Sequence, residues 1–503
     1  MEKDILIGCD IGTSGTKAVA VTKDGEIIAT SHKGYGIISL HPQWAEQWPD
    51  VWLDAATETI AEVISKTDST RIAAIQISAL YGGTGVMCDK DMNPVRPAII
   101  WMDRRADKES KYIAENIGED KIFEVSANGI DSYFGYTKLL WVKNNEPDNF
   151  IKTHSILPVH SYIVYRLTGN VTVDYCSAGN IGGIYDYDKK GWSDEISDRL
   201  GLKRSTLPDN FGSPTDIAGN LNEEFSRKLG VSPDTPVCFG TVDCVASMLS
   251  AGIVDDGDNA AVLGTSLNWG YIRSDRPDDP KLISMPYCVD PENKSYTYGG
   301  ASTAGALPRW FMQKFMDGET AEKYQELEDF AEKNIKAGSD GLIVLPYFMG
   351  ERTPVWDENA CGLIFGLSLM HTKEHIYRAI LESTAYSLLD IMQSMRQGKK
   401  PDKITLVGGG SKSKLWKQIF ADVTGIPVYT PKKPVEAPLG DAFMAGIATG
   451  LIRDAREIEK WVQFNPPVMP DEENHKRYCE YFKVYKSLYP SLKDNMKTLR
   501  GIV

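Results

Sequence analysis

The sequence predicts a mixed α/β protein built as two domains of similar architecture. Three observations carry this reading. At 503 residues the chain is too long for a single compact core, and two domains of about 250 residues are the natural division. Its composition, 42% hydrophobic and 25% charged, is that of an ordinary globular protein and sets aside disordered and fibrous classes. A strand, a Gly-Thr-Ser turn and a second strand occur together twice. The first copy is ILIGCDIGTSGTKAVAV, from Ile5 to Val21, and the second is AAVLGTSLNWGYI, from Ala260 to Ile272.

The elements follow in order. Apolar runs at 5–9, 18–22 and 26–30 read as strands, with Asp24-Gly25 turning between the last two. A helical stretch is expected near 48–66, and RIAAIQIS (71–78) reads as a buried strand. TPVCFGT (235–241) reads as an apolar strand running into a helix that begins near Asp243. The acidic, glycine-containing IVDDGDNA (253–260) marks the boundary between domains at 1–255 and 256–503, with the last helices free to pack back on the first domain. Farther on, KITLVGGGSKSKLWKQIFADVTG (403–425) reads as strand, glycine turn, helix, and APLGDAFMAGIATGLI (437–452) as a helix rich in small residues.

Charge and cysteine usage narrow the function. A net charge of −14 argues against nucleic-acid binding, because no basic face balances phosphate repulsion. No apolar run approaches the ~20 residues of a membrane span, and no basic segment with an apolar stretch behind it opens the chain. The eight cysteines are scattered without a Cys-x-x-Cys pair, as reduced core cysteines are. The cytoplasm is the expected location.

The opening turn carries the first chemistry. Its glycines let backbone N–H groups approach an anion, and the hydroxyls of Thr13 and Ser14 add donors suited to phosphate oxygens. Asp10, at the strand end, fits a Mg²⁺ held largely through its waters, and Lys17 fits phosphate charge. A glycine-rich hairpin with a surface aspartate explains the same residues. Gly264-Thr265-Ser266 is a weaker signal by itself and gains weight as a second phosphate turn. Gly408-Gly409-Gly410, between a strand and a helix, lets the backbone pass against a flat ligand such as adenine or ribose, or simply turns a corner. Asp243 stands where a helix starts. There it is either an N-cap or a base for a hydroxyl group, ionised at its ordinary pKa of about 3.9. P-loop and protein-kinase signatures are absent.

The segments DIGTSGTKAV, GTVDCVAS, VLGTS, GLIFGLSLMHTKEHIYRAILES and VGGGSKSKLWKQIFADVTGIPV together resemble the FGGY carbohydrate kinases over nearly the whole chain. The resemblance implies two actin-like (ribonuclease-H-like) domains flanking a central catalytic cleft, and phosphoryl transfer from ATP with Mg²⁺. It places Asp10 at the metal and Asp243 as catalytic base. Thr13, Ser14 and Lys17 fall on the first phosphate loop, and Gly264 and Thr265 on the second. Gly305 in TAGALPRW approaches the nucleotide, with Gly409, Gly410 and Lys414 lining the adenosine pocket.

For the substrate, HPQWAEQWPDVWLDA (41–55) and RPAIIWMDRRADKE (96–109) are similar to xylulokinase segments, with Trp101 and Asp103 near the sugar. Tyr133 in DSYFGYTKLLW matches a substrate-contacting tyrosine of glycerol kinases. Gly83 and Cys244 stand where relatives place a histidine and an amide side chain, so the pocket is expected to be roomier and less polar there, unless Tyr81 or Tyr133 restores the contacts. The expected activity is an ATP-dependent kinase acting on a primary hydroxyl of a small ketose, with a pentulose such as D-xylulose foremost. Glycerol, erythritol, gluconate or a deoxy-ketose is the alternative substrate, and a non-kinase actin-like ATPase the alternative class. The expected partner is a small sugar or polyol, with no nucleic acid and no membrane, and a homodimer is one open assembly.

Overall fold

The computed structural model describes residues 3–316, 318–395 and 400–502. The chain divides into two compact units. The first comprises residues 1–256 with 272–297 and 435–462, and the second residues 257–271, 298–434 and 463–503. The units therefore do not follow a single cut at 255/256. A helix that sequence places in the second half, Ala437–Ala448, belongs to the first unit.

The first unit is organised by one mixed sheet. Strands β1 (Ile5–Ile11), β2 (Gly15–Thr22) and β3 (Ile27–Gly34) form an antiparallel meander. On the other side of β1 lies the parallel strand β4 (Ile72–Ala79). Beyond β4, the strands β5 (Ile217–Asn220) and β6 (Pro236–Cys238) complete the order β5-β6-β4-β1-β2-β3. The apolar run 235–241 is not one strand. Gly240 takes a left-handed conformation (φ +84°) with no room for a Cβ beside His160, and pairing with β4 resumes only at Thr241–Val242.

Both faces of β1 are covered, which explains its nearly continuous apolar run. Alternation sends Ile5, Ile7, Cys9 and Ile11 into the core with Trp52, Ile60 and Val63 of the helix Pro49–Ser65. The intervening residues, including Gly8 and Asp10, face the helix Ala437–Ala448. A Cβ on Gly8 would lie 1.9 Å from the Pro438 carbonyl, and one on Gly440 would lie 2.1 Å from that of Ala246. The small residues of this segment thus let the helix settle directly on the sheet and on its neighbour, the helix Asp243–Ser250. No helix among the described residues is long and apolar enough to cross a membrane.

The second unit repeats the core arrangement. Strands β7 (Asn259–Leu263) and β8 (Leu267–Arg273) form an antiparallel hairpin. Strand β9 (Ile404–Val407) runs parallel beside β7, and β10 (Val428–Tyr429) parallel beside β9. The hairpin with a parallel partner matches β1, β2 and β4, so the repeated strand–turn–strand unit marks two domains of like construction.

Candidate active site

Three strands of the first unit end together, and the chemistry gathers there. Asp10 stands opposite Ser78 in the β1–β4 register, and Thr241–Val242 pairs with Ser78–Ala79. Asp243, the next residue, opens its helix, so the carboxyl ends of parallel strands deliver Asp10, Ser78 and Asp243 to one edge. Val242 takes the N-cap position, and no side-chain bond caps that helix. Above them the helix Ala437–Ala448 contributes Asp441, fully buried. The Ser78 hydroxyl lies 3.1 Å from Asp10 Oδ1 and 2.8 Å from Asp441 Oδ2, and Asp441 Oδ1 has no protein partner.

Crowding of these acids shifts their titration. Burial pushes the Asp243 carboxyl up, and the charge of Asp10 pushes it farther. Asp10 is likewise raised by burial, against the opposing pull of the Ser78 hydrogen bond and Lys17. Asp441 is raised by burial and then by the charges of Asp10 and Asp243. Burial and the charge of Asp10 thus hold the Asp243 carboxyl above the ordinary carboxylate value anticipated for it. A cation beside Asp10 suits such a site, because it offsets the accumulated negative charge. Among the described residues no three His, Cys, Asp or Glu side chains form a metal cage. Mg²⁺ needs only one or two carboxylates together with phosphate oxygens, so the residues present fit it.

The first turn lies between β1 and β2. Ser14 and Lys17 are exposed, and Lys17 pairs with Glu436 at 2.9 Å. Thr13 accepts from the indole N–H of Trp101 at 3.0 Å through its hydroxyl and from Gln47 at 2.9 Å through its carbonyl. The turn predicted for phosphate and the tryptophan predicted for sugar are thus joined directly.

Buried Lys138 ties the sugar-side segments together. Its ammonium donates to the carbonyls of Gly82 and Tyr133 at 2.6 Å each and to that of Trp101 at 3.3 Å. Asp103 does not join the face of the site. It is fully buried, its carboxylate accepting from the Ala45 N–H at 2.6 Å and from Arg105 at 2.7 Å. Its place is to hold the Trp101 segment against the Ala45 segment.

Gly83 corrects the expectation of an open pocket. A Cβ there would lie 1.9 Å from the Ile99 carbonyl, so the backbone of Ile99 already fills that space. At the neighbouring Gly82 a Cβ would meet the Tyr133 ring at 2.9 Å. The tyrosine ring fills the room a side chain would have taken. Cys244 is half-buried, with its sulfur 3.9 Å from that of Met285.

In the second unit the predicted nucleotide segments also converge. Val262 of β7 pairs with Val407 of β9, which brings the turns after both strands to one edge. Gly305 donates its N–H to the Gly264 carbonyl, and Ala304 donates to that of Thr265, both at 2.9 Å. Gly408 needs its left-handed conformation (φ +95°), and a Cβ on Gly410 would strike Leu263 at 2.4 Å. A Cβ on Gly409, by contrast, would meet no protein atom within 4 Å. Lys414 points outward, 84% exposed, and pairs with Glu332 at 3.2 Å.

Sequence reasoning names neither Ser78 nor Asp441. The available signal for Asp441 was a lone acid in the otherwise apolar run APLGDAFMAG.

Comparison with known proteins gives the family. Residues 5–250 match the N-terminal domain, and residues 259–449 the C-terminal domain, of the FGGY family of carbohydrate kinases. A xylulose kinase of Staphylococcus xylosus is 30% identical over 491 residues, spanning 96% of this chain and 99% of its own. The crystal structure of a ligand-bound xylulose kinase from Lactobacillus acidophilus superposes with a TM-score of 0.91 at 28% identity, covering 98% of this chain and 99% of that one. A gluconate kinase from the same organism gives 0.89 at 29% identity, covering 97% and 98%. The chain belongs to the FGGY family of carbohydrate kinases, as an enzyme that phosphorylates a sugar with ATP.

Proposed function

We propose that the enzyme transfers the γ-phosphoryl group of ATP to a primary hydroxyl of a small ketose, with a pentulose such as D-xylulose as first candidate. The observation that supports it most is the meeting of Asp10, Ser78 and Asp243 at the strand ends, with Trp101 bonded to the turn at Thr13. Full-length similarity to xylulose kinases points the same way.

In this reading Asp243 accepts the proton of the attacking hydroxyl. Its raised pKa brings it closer to neutrality, where a general base transfers protons with most effect. A loose phosphoryl-transfer transition state asks for little proton movement early, so positioning matters more than base strength. The N–H groups of the Gly12–Gly15 turn, the hydroxyls of Thr13 and Ser14, and Lys17 bind phosphate oxygens. For Lys17 this means exchanging Glu436 for phosphate. Asp10 holds the Mg²⁺, which supplies charge neutralisation to the phosphates when bound. Trp101 and Tyr133 bind the sugar. In the second unit Gly264, Thr265, Gly305, Gly409 and Gly410 bind the nucleotide.

Gluconate is the second reading, favoured by the equally extensive likeness to a gluconate kinase. A coupled ADP-release assay over ketoses, polyols and aldonates decides. The expected result is a kcat/KM for D-xylulose or another pentulose at least tenfold above that for gluconate and glycerol. ATP hydrolysis indifferent to every sugar would refute the assignment.

A further inference from the structure

Asn180 is a buried amide with one end unpaired. It closes the short helix Tyr175–Asn180 and is 1% exposed. Its NH₂ group donates to the Tyr133 hydroxyl at 3.4 Å and approaches the Met285 sulfur at 3.9 Å, while Oδ1 has no protein partner. Met285 in turn touches Cys244, the residue after Asp243. On its other side the Tyr133 ring fills the space at Gly82. One line of contacts therefore runs from Asp243 through Cys244, Met285 and Asn180 to Tyr133 and Gly82.

The amide cannot be satisfied by its neighbours in either orientation. In the first, the NH₂ group meets a hydroxyl and a weak sulfur acceptor, and the oxygen is left over. Turned over, the oxygen accepts from Tyr133 and the two N–H donors have only the sulfur. A buried amide in this state is poised for a ligand that both donates and accepts, which is what a sugar hydroxyl does.

We propose that Asn180, together with Tyr133, binds a hydroxyl at the end of the sugar away from the phosphorylated carbon and so determines which ketose is accepted. This rests on the sugar-kinase reading above. It also replaces the expectation of an open, undiscriminating pocket. Beside Gly82, which carries no side chain, a tyrosine backed by an amide supplies the polar contact.

The test compares kcat/KM for D-xylulose and a 1-deoxy-pentulose in the wild type and in N180L and N180A, with thermal melting to establish folding. A complete hydrogen-bonding site rejects an analogue lacking the hydroxyl by about 10⁴–10⁵. One such contact should give the wild type a preference of at least ~10², falling below ~10 in whichever variants fold. Should neither fold, Y133F carries the comparison, since it removes the hydroxyl that Asn180 holds, and the same loss of preference is expected. A wild type active on pentuloses without that preference, or a folded variant that keeps it, overturns the role of Asn180 and leaves the kinase reading intact. A wild type that phosphorylates no sugar overturns both.

Discussion

Asp10 and Asp441 share one hydroxyl, that of Ser78, from β1 on one side and the helix Ala437–Ala448 on the other. The hydroxyl carries a single proton and can donate to only one of two ionised carboxylates. The second contact is attractive only when a carboxyl is itself protonated. Burial and the charges of Asp10 and Asp243 favour that proton on Asp441, whose pKa is raised well above the ordinary range. The site is thus a crowded set of acids.

This crowding predicts that D441N is more heat-stable than the wild type near pH 7.5 in the absence of nucleotide and divalent cation. Asp441 keeps its proton in the folded protein over a pH range where the unfolded chain has released it. The folded state then binds more protons than the unfolded, and stability falls as pH rises from the unfolded value toward the raised folded one. Asparagine keeps a donor for Ser78 without an ionisable group. The melting temperature should rise by a few degrees at pH 7.5, and the gain should shrink toward pH 5. A lower melting temperature for D441N at pH 7.5 would contradict this account.

Asp243→Asn should retain nucleotide binding and lose phosphoryl transfer. The substitution preserves shape at the start of the helix Asp243–Ser250 while removing the proton acceptor. A positioned base contributes about 10²–10⁴ in rate, and kcat with the best sugar should fall within that range. Calorimetry should still detect ATP binding. A folded variant with more than a tenth of wild-type kcat would show that Asp243 is not the base.

The same residue sets a pH profile. Burial and the charge of Asp10 raise its pKa, so the acid limb of kcat/KM should lie above pH 5 instead of near the ordinary carboxylate value of about 3.9. Burial, the larger cause, persists when a cation sits beside Asp10. Rates measured from pH 4.5 to 9 check the limb. A limb at the ordinary value in the wild type would mean that the site is better solvated than its packing implies.

Much of this site was legible in the sequence, for identifiable reasons. Asp10 and Asp243 follow apolar runs whose periodicity marks strands, and in α/β proteins strand ends are where ligands bind. The repeated Gly-Thr-Ser turn disclosed the paired architecture. Asp441 was hidden because its neighbours, Asp10 and Ser78, are supplied by the far end of the chain. Gly83 looked like open space because sequence does not show that the Ile99 carbonyl already lies against it. Asp103 looked like a ligand group because sequence does not show that Arg105 and the Ala45 N–H already occupy it.

G83A should be severely destabilised. Its Cβ would sit 1.9 Å from the Ile99 carbonyl, and both partners are backbone that cannot rotate away. The loop would have to part from the Ala98–Ile99 strand, which pairs with Glu46–Gln47. Overpacking of this kind typically costs about 1–3 kcal/mol or more, and the melting temperature should drop by several degrees with sugar KM rising. An unchanged melting temperature would restore the open pocket at this position.

G409A separates nucleotide binding from folding. At Gly408 an added Cβ would meet a left-handed backbone and the Leu263 carbonyl at 2.5 Å, so G408A should lose stability whatever its function. At Gly409, one residue on, the backbone is not left-handed and a Cβ would touch no protein atom within 4 Å. The open space is therefore room for something other than protein, and the strand–helix turn in which it lies is the segment assigned to adenosine. G409A should melt within about a degree of the wild type, since surface changes away from packed groups usually stay within about 0.5 kcal/mol. Its KM for ATP should nevertheless rise at least tenfold, with KM for the sugar unchanged. The paired behaviour of neighbouring glycines is the decisive feature, because a general loosening of the turn would move stability and ATP affinity together in both variants. An unaltered KM for ATP in a folded G409A would remove this turn from the nucleotide site.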